Sequence, residues 1–100
     1  MNKNLSKIWA TKNCEELSNT LAQTNNLDTM QEFLADLLTE KEIIEISARL
    51  RAATMLAEGS KYDQIIAETN LSTRTVARIS KWLKHGTGGY AKVIGTHIHI

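Results

Sequence analysis

Four cationic side chains, Arg74, Arg78, Lys81 and His85, recur at i, i+4, i+7 and i+11. On a helix that spacing draws one narrow stripe, since each residue turns the chain by about 100°. Val76, Ile79 and Leu83 fall on the opposite side at i, i+3 and i+7. Arg and Lys recognise phosphate oxygens through charge and N–H donors, and no carboxylate is interleaved to neutralise these. Ahead of the stripe, Asn70-Leu71-Ser72 reads as a tight turn. Asn tolerates left-handed backbone, and a Ser oxygen can accept a backbone N–H at a helix start. Before the turn, Tyr62, Ile65, Ile66 and Thr69 line the inward face of a shorter helix. Residues 61–85 therefore predict a helix-turn-helix whose second helix, Thr73–His85, has one apolar and one cationic side. The same pattern also fits an ordinary helical hairpin with a solvated basic face.

Other candidate chemistry is sparse. His97 and His99 stand two apart in the tail, with His85 twelve residues before His97. A strand would put both tail histidines on one face, but no further ligand-type residue accompanies them, and no metal site is expected. No nucleophile–base arrangement, Walker loop or pair of catalytic carboxylates is present, so an enzyme is not expected. Gly86, Gly88 and Gly89 follow a helix rather than a strand, which excludes a dinucleotide-binding loop. Arg49 and Arg51 sit in the middle of a long helix. Arg49 flanks its apolar stripe; an ion pair with Glu45, four residues earlier, is the simpler reading, and a small anionic ligand the other.

The elements that must position the basic helix come from the first 60 residues. Leu5, Ile8 and Trp9 at i, i+3 and i+4 predict a short amphipathic helix. Asn13 is placed to cap a helix running to Gln23, with Glu15 and Glu16 in its first turn and Cys14, Leu17 and Leu21 on its buried face. After a polar break, either Asp28 (with Gln31) or Asn26 caps a helix ending at Leu38. Its apolar residues Met30, Phe33, Leu34, Leu37 and Leu38 form a stripe wider than one small subunit can cover. Thr39 and Glu42 make a capping box for the longest helix, residues 40–58, with Ile43, Ile46, Leu50, Ala53 and Ala57 on one face. Gly59 stops it, and Ser60 with Asp63 reads as an imperfect box for the next helix. After Gly86, residues 90–94 predict one short helical turn, and residues 93–100 alternate weakly enough to suggest a strand.

Composition sets the frame. One hundred residues, 42% hydrophobic and without proline, support a single all-α domain with a modest core. Its expected regions are an N-terminal helical part (1–59), the helix-turn-helix (60–86) and a tail (87–100). Charge is uneven: residues 1–68 carry 7 Lys/Arg against 11 Asp/Glu, and residues 69–100 carry 5 Lys/Arg and no acid. An acidic body with a basic end points to nucleic acid. A single cysteine, Cys14, excludes an intrachain disulfide and suits the cytoplasm. No apolar run marks a signal peptide or membrane span.

Leu37-Leu38-Thr39-x-x-Glu42, the helix bearing Arg49 and Arg51, Glu58-Gly59 and the helix-turn-helix together resemble the Trp repressor superfamily. Residues 69–78, Thr-Asn-Leu-Ser-Thr-Arg-Thr-Val-Ala-Arg, are similar to its YerC/YecD branch of TrpR-related proteins, as is Lys-His-Gly-Thr-Gly-Gly-Tyr at 84–90. The branch pattern there is T-G-x-S-x-x-T-I/V-x-R. The resemblance covers roughly residues 15–92. It implies an intertwined homodimer, with Met30, Phe33, Leu34, Leu37, Leu38, Ile43, Ile46 and Leu50 in the shared core and duplex DNA as partner. Ser72, Thr73, Arg74 and Thr75 would then lie nearest the base edges. Arg78, Lys81 and Lys84 would contact phosphates, and Tyr62 and Gln64 would help the first helix meet the backbone. Thr39, Arg49 and Arg78 match the positions with which the Trp repressor binds its corepressor. There the family has Gly after the second Arg to admit the indole, and this chain has Ile79, so no tryptophan cofactor is expected. The chain is also one residue shorter between Gly59 and Ile65, and Asn70 replaces the usual turn Gly. The expected function is a sequence-specific transcriptional regulator, a repressor by analogy. A helical protein-interaction module, or a small-anion sensor without DNA binding, is the alternative.

Overall fold

A computed structural model describes residues 3–95 and consists of seven α-helices, with no strand among the described residues. They are α1 (Lys3–Trp9), α2 (Lys12–Gln23), α3 (Leu27–Leu37), α4 (Glu40–Ala57), α5 (Tyr62–Thr69), α6 (Thr73–His85) and α7 (Gly89–Ile94). Contacts divide the chain into two units, Met1–Ile43 and Ile44–Ile100, with the boundary inside α4. No helix is long and apolar enough to cross a membrane among the described residues.

In the first unit, α1 packs on α2, and none of α1, α2 or α3 contains a buried residue. Cys14 and Leu21 are half-buried and Leu17 is exposed, so the expected inner face of α2 is only partly covered. The start of α2 differs from expectation. Asn13 lies inside the helix and Thr11 takes the N-cap position without capping it. The Thr11 hydroxyl instead donates to the Ile8 carbonyl at 2.7 Å, closing the end of α1. One short side chain cannot serve both helix ends, and the preceding carbonyl wins. For α3 the cap is Asn26, whose Oδ1 accepts from the Thr29 amide at 2.9 Å, and Asp28 sits in the first turn. Leu38 lies just outside the helix as its C-cap.

The Thr39–Glu42 box forms as the spacing demands. The Glu42 amide donates to Thr39 Oγ1 at 3.1 Å, and Glu42 Oε1 accepts from the Thr39 amide at 2.9 Å. The Thr39 amide, and after it the Thr39 hydroxyl, hold the Glu42 carboxyl below its ordinary value of 4.5. A lowered folded-state value means that this contribution is present above the unfolded value and lost as pH falls through the folded one. Thr39→Ala removes the hydroxyl and keeps the amide, so the Glu42 carboxyl is expected to rise only part of the way, measurable by carboxyl-carbon NMR.

The second unit holds the core. Ala52, Ala53 and Met55 from α4 meet Ile65 from α5, Val76 and Ile79 from α6 and Ile94 from α7, with Leu56, Ala57, Ile66, Leu71 and Tyr90 packed around them. Burying each large aliphatic side chain contributes about 1.5–3 kcal/mol, so these few residues carry much of the unit's stability. The expected stripe on α4 is only partly the buried one. Ala53 is buried as read, but Ile46 and Leu50 are each 50% exposed. The reason is length. Ile46 precedes Ala53 by seven residues, about 10 Å along the helix, and so lies beyond the reach of the small core. At the other end, Ala52 and Met55 join the buried cluster with residues of α5, α6 and α7.

Gly59 ends α4 in a Schellman motif: its φ is 88°, its amide donates to Leu56 O at 3.1 Å, and the Ser60 amide reaches Met55 O at 2.9 Å. The next helix then starts one residue later than the Ser60–Asp63 reading. Lys61 is the N-cap, and Gln64 Oε1 accepts from its amide at 3.1 Å. Tyr62 is also corrected: it is 38% exposed and not part of the inward face, which is left to Ile65, Ile66 and Thr69. Arg49 does not pair with Glu45; the recorded ion pair among the described residues joins Arg51 Nε to Glu68 Oε1 at 3.0 Å, tying α4 to α5. Both partners are exposed, so the pair adds less than about 1 kcal/mol. The short helical turn read at 90–94 forms as α7, so residues 93 and 94 belong to it and not to a strand, and Ile94 enters the core. His97, His99 and the rest of the suggested strand lie outside the described residues.

Candidate nucleic-acid interface

The turn between α5 and α6 sets the site. Asn70 adopts left-handed backbone (φ 60°, ψ 16°), and its amide still donates to Ile66 O at 2.9 Å. The Thr69 hydroxyl donates to Ile65 O at 2.7 Å and accepts from the Leu71 amide at 3.3 Å, so the turn's own backbone is satisfied. Leu71 drops onto the core and anchors the turn from beneath. Ser72 Oγ then accepts from the Thr75 amide at 3.1 Å and donates to Thr75 Oγ1 at 3.0 Å, which starts α6. Asn70→Gly is expected to leave the melting temperature nearly unchanged. Asn70→Val is expected to cost about 1–2 kcal/mol, because a β-branched side chain resists the left-handed region. Thermal unfolding of the two variants checks this.

From that start α6 runs for 13 residues, about 20 Å. Val76 and Ile79 are fully buried and Leu83 is half-buried. Arg74, Arg78, Lys81 and His85 are exposed on the other side, Lys84 lies exposed on its flank, and Thr73 is exposed at its beginning. No acid follows Glu68 in the chain, and none of these cations forms an ion pair among the described residues. Their field is therefore uncancelled on their own helix. Gly86 closes the helix at a place where a Cβ would run into the Trp82 carbonyl.

The proposed contact residues differ in what they have free. Thr73, Arg74, Lys81 and Lys84 are exposed, and Arg78 is exposed beside the Trp82 ring. The hydroxyls of Ser72 and Thr75 bond one another and the helix start. Tyr62 is exposed on α5, while Gln64 uses its carboxamide oxygen to hold the helix start. Of the residues matched to a ligand pocket, Thr39 spends its hydroxyl on the Glu42 amide, Arg49 is exposed on α4, and Arg78 lies over the Trp82 ring, its guanidinium carbon 5.9 Å from the centroid. The sequence reading gave Trp82 no role, although its i, i+4 spacing from Arg78 is the available signal. No cluster of His, Cys, Asp and Glu suited to a metal occurs among the described residues.

A family model described as Trp repressor protein matches residues 12–98. The chain belongs to the Trp repressor family. YerC of Bacillus subtilis (strain 168), itself uncharacterised, is 35% identical over 79 residues, which is 79% of this chain and 76% of that one. A TrpR-like protein from Eubacterium eligens ATCC 27750, solved by crystallography, superposes with a TM-score of 0.84 at 31% identity, covering 90% of this chain and 93% of its own. A candidate Trp repressor from Staphylococcus aureus gives 0.85 at 27% identity, covering 95% and 94%. At the level of the Trp repressor family, the chain is an all-helical DNA-binding regulator.

Proposed function

We propose that the protein is a homodimeric transcriptional repressor that reads duplex DNA with α6 and uses no tryptophan. The supporting observation is the uncancelled cationic face of α6, held by a rigid capped turn and a core on its opposite side. The first turn of α6 enters the major groove, where Thr73 and Arg74 reach base edges; Ser72 and Thr75 fix the helix start. Arg78, Lys81 and Lys84 neutralise phosphates alongside, with Tyr62 on α5 meeting the backbone and Gln64 serving that helix from its cap. Two such heads require two subunits. The half-buried Met30, Phe33, Leu34 and Leu38 and the exposed Leu37 of the first unit have no buried partner within it, which favours completion by a second copy. The same holds for the exposed Ile46 and Leu50 of α4, with half-buried Ile43 beside them in sequence.

Ile79 supports the absence of tryptophan, since its side chain is itself fully buried core. A small-anion effector on Thr39, Arg49 and Arg78 finds less support, because the Thr39 hydroxyl is already engaged by the Glu42 amide.

Gel filtration combined with selection of bound fragments from genomic DNA tests this reading. A dimer that enriches a palindromic motif supports it; no enrichment at low salt favours a protein-interaction module. Within the selected site, Arg74→Ala is expected to relax base preference at one position by about 1–3 kcal/mol. Lys81→Ala is expected to weaken all sequences alike and to lower the salt slope by about one. Titrations against matched and mismatched duplexes at several salt concentrations separate the two.

A further inference from the structure

Trp82 is the one large aromatic of α6, and it is 46% exposed beside the cationic stripe. It adds nothing to the buried cluster. One turn before it stands Arg78, with its guanidinium carbon 5.9 Å from the indole centroid. Arg78 has no ion pair among the described residues, and no acid follows Glu68 to compete for it from α6 itself. The ring is thus placed to bias the arginine's choice of rotamer.

We propose that Trp82 is a positioning residue that holds Arg78 ready for a phosphate oxygen of duplex DNA. This rests on the DNA-reading function proposed above. The two interactions use different parts of the guanidinium. A ring attracts the cation through its π face. The five N–H donors lie in the guanidinium plane and remain available for a bidentate grip on phosphate. An arginine already resting on a ring has given up much of its rotamer freedom before DNA arrives, so binding need not order it again. Lysine at 78 would lose both the planar fork and the stacking. Lys81 and Lys84 have no recorded ring partner, so this preorganisation is specific to Arg78 among the described residues.

The test is a double-mutant cycle on affinity for a mixed-sequence duplex at low salt, with circular dichroism confirming helix content. Trp82→Leu keeps apolar bulk and removes the ring; Trp82→Phe keeps a ring. The leucine variant is expected to bind about two- to fivefold more weakly, with a shallower salt slope and the same loss on every sequence. The phenylalanine variant is expected to retain most of the affinity. In an Arg78→Ala background, Trp82→Leu is expected to cost nothing further. An equal loss in that background would mean that the ring acts alone, and no loss in either background would mean that it does nothing; both overturn the proposal. If the leucine variant loses helix, Trp82→Met replaces it in the cycle. A wild type that binds no duplex sinks the functional reading and this inference together, whereas a binding wild type with an additive cycle sinks only this one.

Discussion

Ile79→Ala is expected to destabilise the protein by about 2–5 kcal/mol, the largest effect of any single substitution on α6. Ile79 is completely buried between α4, α5 and α7, and alanine would leave a cavity where the helix backbone cannot collapse to fill it. A domain of this size has about 5–15 kcal/mol in total, so the melting temperature should fall by about 10 °C or more. Urea unfolding followed by circular dichroism gives the number, and a change below about 1 kcal/mol would show that the site is not close-packed. The same residue bears on the proposal that the protein uses no tryptophan. The resemblance to the Trp repressor implies glycine at this position in a tryptophan pocket. Here the side chain is a structural part of the helix-turn-helix, and exchanging it to admit an indole would remove core from beneath the reading head. Added L-tryptophan is accordingly expected to leave the wild-type melting temperature unchanged. A rise that grows with concentration would overturn this, because a ligand specific to the folded state raises stability by mass action.

Ile46→Asp combined with Leu50→Asp is expected to convert the proposed homodimer to monomer. Both side chains are 50% exposed in the single subunit, so the charges cost that subunit little by themselves. Buried in an apolar interface, two unpaired carboxylates in each chain would each meet a desolvation penalty of several kcal/mol. Light scattering behind gel filtration should show the mass halve at micromolar concentration. Affinity for a two-half-site operator should fall about 100-fold or more, since the second head no longer binds intramolecularly. A variant that stays dimeric places the interface elsewhere.

Several parts of this protein were determined by short stretches of sequence. The Thr39–Glu42 box, the Gly59 stop, the left-handed Asn70 and the Ser72 cap each depend on hydrogen bonds spanning three to five residues, and all form. The cationic and apolar sides of α6 are likewise set by helical periodicity, as Arg74 and Lys81 on one side and Val76 and Ile79 on the other show. Where two local partners competed, spacing alone was not decisive. Thr11 serves the end of α1 instead of the start of α2, Asn26 caps α3 in place of Asp28, and Gln64 closes the start of α5 where Asp63 was expected.

Other features came from tertiary structure because they depend on which elements meet. Whether Ile46 and Leu50 are covered depends on how far along α4 the small core extends, and no spacing encodes that distance. Arg51 pairs with Glu68 across α4 and α5, whereas Glu45, one turn before Arg49, forms no ion pair with it among the described residues. Ile94 is buried because α7 returns to α6, a packing that the short helical turn read at 90–94 does not by itself encode. The reading helix shows the same division. Its charge pattern is written in the chain, but the placement of Arg78 over Trp82 is decided only when both side chains settle on the folded helix.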